Sequence, residues 1–453
     1  MYKKFNQFKY LLLAVSIVPN LLFAQHKVEA DSLLNEASLE NVIQYALKHY
    51  PLIQQSLIDE ETTNFQIKSK LADWYPQLNF NYNLLHNFVL QPSYSSQLGG
   101  VFRFGVINTS LGQFALSQTL FNKDVLLAAK SADEARLNTR QTTMSRKIDL
   151  TVNVTKAFYD VLATSQQIKV GQGDIVRLKQ NLTTAKSQYD AGIVDKTDFK
   201  RATITLSNTL ATLKSNQELL KYKIEYLKQL MGYPVSGKLD IVFDTLQMER
   251  EIFIDTTQQL DHTQRIEYKL YQTQRKLQEY NVKYNQWSFL PTASLNGFYN
   301  LYYLGIADNG KSNDLSELYK KNTPFSSATL NLSFPIFQGG KRIANIKQQK
   351  SVLRRLDLDI SNFELAINSQ YAQALAAYKA NLNTYLTLRE NVNLAKEVYD
   401  IIQLQYKSGV KNYLEVITAE TDLRTARINY FNSLYGVLAS KVDLQKALGE
   451  INY

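Results

Sequence analysis

The residues that could carry out acid–base or metal chemistry are few in this chain and lie far apart. There are four histidines, and their positions show no spacing typical of a ligand set: His26, His49, His86 and His262. The chain contains no cysteine, which excludes disulfides, thiol nucleophiles and thiolate-bound metals. The sequence therefore predicts no catalytic centre, no metal site and no cofactor, and the chain is not predicted to be an enzyme.

Two glycine-containing segments have the composition of phosphate-binding loops without the required pattern. The segment Gly171-Gln172-Gly173 lacks the third glycine of a dinucleotide site, and no predicted strand precedes it. At Gly339-Gly340-Lys341, Pro335 stands where a Walker loop has its first glycine, and Arg342 follows the lysine. Neither segment is predicted to bind a nucleotide.

The chain is basic, with 51 lysine and arginine residues against 41 aspartate and glutamate residues and a formal charge of +10. These basic residues are spread along helix-forming segments and do not cluster. We therefore interpret them as solvated helix faces and predict no nucleic-acid partner.

Residues 1–24 have the pattern of a secretory signal peptide. Lysines at positions 3, 4 and 9 precede an apolar stretch over 11–18, and Leu22-Phe23-Ala24 provides a cleavage site. The apolar stretch is too short for a membrane anchor and is followed by Pro19. The mature chain is thus predicted to begin at Gln25.

The elements that must position any functional residue come from a long helix-forming stretch that occurs twice. The first copy runs without a proline from Phe121 to Gly192, and the second from Phe337 to Gly409. The copies are 216 residues apart at their phenylalanines and 217 at their glycines. One helix of this length would reach about 100 Å, which no compact domain requires. We interpret the chain as a duplication of one long unit.

The first structural repeat is predicted to span residues 25–240. Within it, residues 77–90 and 111–121 alternate apolar with polar side chains, which is the period of a β-strand. Long helices are predicted over 123–190 and 197–231, separated by the glycine-containing turn.

The second structural repeat is predicted to span residues 241–453 and to contain the same elements. Its alternating segments cover 292–304 and 328–337. Its long helices are predicted over 341–406 and 413–448. Since both halves contain the same elements, neither is predicted to be an independent domain.

Each predicted strand has one apolar face and one face rich in amide or hydroxyl groups. A soluble sandwich shows this pattern, and so does a barrel with lipid outside and a wet lumen, but the leader favours the barrel. Four strands cannot close a barrel, and open sheet edges are not tolerated in lipid. Several chains must then contribute to one barrel, and three copies would supply twelve strands.

The chain resembles the TolC-like outer-membrane efflux proteins over essentially the whole sequence after the leader. The resemblance rests on the run from Phe334 to Arg342, on the two helix junctions at 189–199 and 406–416, and on an early helix break before Pro51. At that break the family usually has Asn where Tyr50 stands.

This resemblance implies an α+β membrane protein built from a duplicated strand–strand–long-helix unit. It implies a homotrimer with a twelve-stranded outer-membrane β-barrel, continued by a long periplasmic α-helical coiled-coil barrel. The implied function is a passive channel-tunnel of a tripartite efflux or export system in a Gram-negative bacterium. The implied partners are a periplasmic adaptor, an inner-membrane transporter and outer-membrane lipid.

The resemblance also implies roles for residues at the two helix junctions. An adaptor would dock at six positions: Ala191, Gly192, Ile193, Ser408, Gly409 and Val410. A periplasmic gate would consist of four: Asp198, Tyr406, Lys411 and Glu415. Lys411 replaces an arginine of the family's best-known member, and Thr418 stands where that member has a second acidic residue.

A structural coiled-coil scaffold of the cell envelope is the alternative function. The long helices fit both functions, whereas the four amphipathic strands at repeated positions fit the duct alone. Drugs, metals and secreted proteins leave through similar tunnels, so the duct is indicated without its cargo. The presence of only four methionines gives no sign of soft-metal handling.

Overall fold

The structure is a computed structural model of the chain. It describes residues 34, 36–97, 99–103, 105–192, 195–243, 245–305, 315, 318–320 and 322–452, with side chains undescribed at 245–247. The predicted leader at 1–24 lies outside the described residues.

The α-helices account for most of the described chain. They are α1 (Leu39–His49), α2 (Pro51–Ala72), α3 (Lys123–Asp190), α4 (Lys196–Met231), α5 (Thr245–Arg250), α6 (Ile266–Gln286), α7 (Lys341–Lys407) and α8 (Tyr413–Leu448). At 68 and 67 residues, α3 and α7 each extend about 100 Å. In the described part of the chain, no helix is both long enough and apolar enough to cross a membrane.

Local sequence explains where the long helices begin and end. Asn122 Oδ1 accepts a hydrogen bond from Asp124 N at 2.7 Å and caps α3, satisfying a backbone donor that has no partner within the helix. At their other ends, α4 and α8 stop at Gly232 and Gly449, whose φ angles of 67° and 82° are left-handed. The bounds of the four long helices differ from the predicted ones by at most one residue.

The strands form one four-stranded antiparallel sheet and one small hairpin. The sheet has the order β1 (Gln77–His86), β4 (Asn108–Phe121), β5 (Thr292–Leu304) and β6 (Phe325–Ser333), and the hairpin pairs β2 (Pro92–Ser95) with β3 (Gly100–Arg103). The middle pair, β4 and β5, joins the two structural repeats.

The strand ends differ more from prediction than the helix ends. The strand predicted over 77–90 stops at His86, because Asn87 Nδ2 donates to Val106 O and the chain turns toward the hairpin. The strand predicted over 328–337 instead covers Phe325–Ser333, and Pro335 beyond it has no N–H for pairing. The strand predicted over 111–121 begins three residues earlier, at Asn108.

Helix α3 is the central element of the helical part. It packs on α2 and α6 near the sheet, and on α4 and α8 toward its far end, while α7 packs on α6 and then on α8. The largest hydrophobic core lies between the sheet end and the far end of α3. It includes Phe158 and Leu162 of α3 and Leu434 of α8. There Tyr378 Oη donates to Ile252 O at 3.0 Å, which fastens the connector between the repeats to α7.

Candidate functional site

Two tight turns join the long helices at the end away from the sheet, and we call these turns the tips. In the first tip, Gly192 has a φ of 72° and Asp195 caps α4. In the second, Gly409 has a φ of 75° and Asn412 caps α8. A Cβ atom at either glycine would meet nothing within 4 Å. Glycine is therefore required for its left-handed backbone and not for space.

The residues predicted to dock an adaptor lie at the tips. All five that the structure describes are exposed: Ala191, Gly192, Ser408, Gly409 and Val410. The sixth, Ile193, lies outside the described residues. The valine has 71 % of its surface exposed, so the second tip presents an apolar side chain to its surroundings.

The residues predicted to form the gate do not all contact one another within one chain. Lys411 Nζ lies 2.6 Å from Glu415 Oε2, so this tip lysine pairs with the first turn of α8 and not with Asp198. Tyr406 Oη donates to Gln188 Oε1 at 2.7 Å. Burial raises the pKa of Tyr406, and the negative charge of Asp198 raises that pKa further. The acidic residue thus lies near the tyrosine without being its hydrogen-bond partner.

A buried ionic cluster, which the sequence did not reveal, lies between α3 and α8 above the tips. Asp174 is fully buried and Glu420 is 2 % exposed. Arg177 lies between them: its Nη2 donates to Asp174 Oδ1, and its Nε lies 3.5 Å from Glu420 Oε1. Asn181 Nδ2 donates to the other oxygen of Glu420 at 3.1 Å. One guanidinium therefore serves two buried carboxylates.

The electrostatics of this cluster favour proton uptake. Burial raises the pKa of both carboxyl groups, and the charge of Arg177 opposes that effect at each. Arg424 adds a further opposing effect at both, and Arg427 adds one at Asp174. The charge of Asp174 in turn raises the pKa of Glu420. The sequence signal for this cluster was the three-residue spacing of Asp174 and Arg177, and the same spacing also occurs in ion pairs on exposed helix faces.

The three histidines that the structure describes do not form a site. His86 Nδ1 lies 2.7 Å from Asn108 Oδ1 in the sheet, and His262 Nε2 lies 3.9 Å from Glu364 Oε1 in the helical part. His49 ends α1, and His26 lies outside the described residues. Among the residues described, no group of three or more His, Cys, Asp or Glu side chains could hold a metal ion.

The main sheet has two chemically different faces and no Asp, Glu, Lys or Arg in its strands. On one face, apolar side chains such as Leu78 and Leu330 are 67 % and 57 % exposed. On the other face, Gln113 Nε2 donates to Asn300 Oδ1 at 2.9 Å. A sheet of this kind is suited to separate an apolar medium from a polar one.

Comparison with known families identifies the chain. The family described as Outer membrane efflux protein matches residues 42–233 and 271–450, most of both structural repeats. The chain belongs to the outer membrane efflux protein family. The resemblance inferred from the sequence is thereby confirmed.

Individual relatives match over nearly the full length. The outer membrane protein TolC of Escherichia coli is 20 % identical over 427 residues, covering 93 % of this chain and 84 % of that protein. Among solved structures, the outer membrane protein VceC of Vibrio cholerae has a TM-score of 0.71 at 14 % identity, covering 91 % of this chain and 96 % of that one. The CmeC outer membrane channel of Campylobacter jejuni has a TM-score of 0.73 at 17 % identity, covering 91 % and 85 %.

Membership in this family determines the general function. The chain is an outer-membrane channel of tripartite efflux systems, in the outer membrane of a Gram-negative bacterium and its periplasm. The family consists of channel proteins and not of enzymes.

Proposed function

We infer that this efflux channel works as a passive homotrimeric duct. Its twelve-stranded β-barrel would lie in the outer membrane, and its long helices would form a coiled-coil barrel across the periplasm. A periplasmic adaptor and an inner-membrane transporter would deliver the cargo, and the transporter would supply the energy. The leader at 1–24 would direct export and be removed.

The observation that carries this proposal is the two-faced sheet joined directly to helices of about 100 Å. Among the described residues, β1 pairs only with β4, and β6 pairs only with β5. Both outer edges therefore have free backbone groups, which lipid cannot satisfy. Pairing with further copies of the chain would satisfy them. The scaffold alternative gives no reason for an apolar face exposed on every strand.

Deletion of the gene, followed by susceptibility profiling, tests the proposed function. We expect the deletion strain to become sensitive to at least one class of exported compound, and plasmid-borne wild type to restore resistance. The complementing protein should also run as three chains in native mass measurement in mild detergent. A stable monomer that complements fully would contradict the trimeric duct.

The exposed tips are the surfaces at which the adaptor would dock. Gly409→Trp is expected to abolish resistance while leaving trimer levels normal, because the added bulk projects from an open turn. Gly409→Ala is the matched control, since it imposes the same left-handed backbone strain of about 1–2 kcal/mol without the bulk. Normal resistance in both strains, at normal trimer levels, would show that Gly409 forms a structural turn and takes no part in adaptor docking.

The gate would be formed where the two tips narrow the helical end of the tunnel. Asp198→Ala combined with Lys411→Ala is expected to loosen closure and raise single-channel conductance. The partly exposed Lys411–Glu415 pair itself contributes under about 1 kcal/mol, so the effect should come from contacts in the closed assembly.

Glu415 would contribute one carboxylate per chain to a ring at the gate. Glu415→Gln should weaken cation preference, because like charges around a narrow pore attract cations. Lys411→Ala alone should strengthen it, because Glu415 loses its neutralising partner. Asp133→Asn, at an exposed position near the sheet, is the control in planar-bilayer measurements. Unchanged selectivity in both tip variants would remove these residues from the gate.

A further inference from the structure

The two edge strands of the sheet lie at opposite ends of the two repeats. β1 is the first strand of the first repeat, and β6 is the last strand of the second repeat. Within the chain, the last strand of the first repeat, β4, pairs antiparallel with the first strand of the second repeat, β5. If copies of the chain assemble side by side, β6 of one copy meets β1 of the next in the same relation.

The duplication holds at the level of individual residue pairs. In the first repeat Gln77 lies opposite Ser117, and in the second Thr292 lies opposite Ser333. The first-strand residues of these pairs are 215 positions apart, and the second-strand residues are 216 apart. These two offsets convert nine of the ten β1–β4 pairs into the nine observed β5–β6 pairs, and the tenth falls just beyond the end of β6. They can therefore be applied to the pairing between repeats.

The β4–β5 register supplies the positions to convert. Ala115 lies opposite Phe298, and Leu116 lies opposite Gly297. Each β4 residue corresponds to the β6 residue 216 positions later, and each β5 residue corresponds to the β1 residue 215 positions earlier. The two pairs therefore convert to Asn331 opposite Asn83 and Leu332 opposite Tyr82.

We propose that β6 pairs antiparallel with β1 of the next copy, with Asn331 opposite Asn83 and Leu332 opposite Tyr82 of that copy. This seam rests on the homotrimer of the proposed function and specifies which residues close it. It pairs residues over 328–333 with residues over 81–86.

The side chains support this register. Leu332 and Tyr82 are each 55 % exposed in the single chain, and both belong to the apolar face. Asn331 and Asn83 belong to the amide-rich face. A slip of one residue in either direction would bring Leu332 opposite an asparagine and Asn331 opposite a residue of the apolar face. At these central pairs the proposed seam thus continues both faces of the sheet from one copy to the next.

Disulfide cross-linking tests the register directly, because the chain has no cysteine of its own. Full-length Asn331→Cys/Asn83→Cys protein would be treated in membranes with copper phenanthroline and run on a denaturing gel without reductant. Within one chain, β1 and β6 are separated by β4 and β5, or about 14 Å, which is beyond the reach of a disulfide. We expect the monomer band to be lost to a covalent species of three chains.

Asn331→Cys/Asn79→Cys is the matched control, since Asn79 is on the same face and about 14 Å along the strand from Asn83. It should remain monomeric on the gel, as should each single variant. Cross-linking of the Asn79 pair in place of the Asn83 pair would overturn the proposed register and leave the trimer intact. No cross-link in protein that is trimeric by native mass would overturn the seam. Protein that is not trimeric would instead contradict the proposed function.

Discussion

Arg177→Ala is expected to destabilise the helical part by about 3–5 kcal/mol at neutral pH, because it leaves two buried carboxylates without the arginine that lies between them. Asp174 and Glu420 are almost completely buried, so water cannot replace the lost partner. Asp174→Asn combined with Glu420→Gln should rescue much of the loss, because neutral amides need no counter-ion. Arg136→Ala removes an ion pair with Asp133 and a hydrogen bond to Asn64 and should cost about 1–2 kcal/mol.

The loss of folding stability caused by Arg177→Ala should become smaller as the pH falls. Burial raises the pKa of both carboxyl groups in the folded chain, and removing the arginine raises these pKa values further. The folded state then binds protons more tightly than the unfolded state, so its stability falls as pH rises through the folded pKa values. Denaturation midpoints at pH 5 and pH 7.5 measure the effect. A loss equal to that of Arg136→Ala, or independent of pH, would contradict this account of the cluster.

Gly232→Ala is expected to cost about 3 kcal/mol, combining left-handed backbone strain with overpacking. Gly232 has a φ of 67°, and a Cβ atom there would lie 2.6 Å from the carbonyl oxygen of His49. That oxygen belongs to the backbone at the end of α1, so neither side can relax cheaply. The site lies beside the main core and joins α1 to the end of α4.

Gly409→Ala is the control for this substitution, because its φ of 75° is similar and nothing lies within 4 Å of the added atom. It should cost about 1–2 kcal/mol. The temperatures at which the two variant assemblies dissociate in detergent, compared with wild type, measure the difference. Equal shifts for the two glycines would show that the contact with His49 is unimportant.

The long helices could be predicted closely because their limits depend on local chemistry. Glycine with positive φ ends α4 and α8, and Asn122 and Asn412 begin α3 and α8. Strand limits depend on partners that lie far away in sequence. Strand β6 ends at Ser333 with Pro335 beyond it, although the alternation of side chains continues. A periodic pattern cannot reveal where pairing stops.

The candidate site was predictable in part. The duplication located both tips, and the capping residues there are apparent from the sequence. The ionic cluster was not predictable, because Asp174 and Glu420 come together only through the packing of α3 on α8. The pairing of Lys411 with Glu415 instead of Asp198 is local, because Lys411 immediately precedes the cap of α8 and Glu415 lies in the first turn of that helix.

Conductance of the purified full-length protein in planar lipid bilayers tests the central claim most directly. We expect discrete ion-conducting steps without an energy source or any added partner protein. We expect larger steps for Asp198→Ala combined with Lys411→Ala. Assembled trimers that insert into the bilayer and leave it insulating, for both wild type and the variant, would contradict the claim that this chain forms a duct.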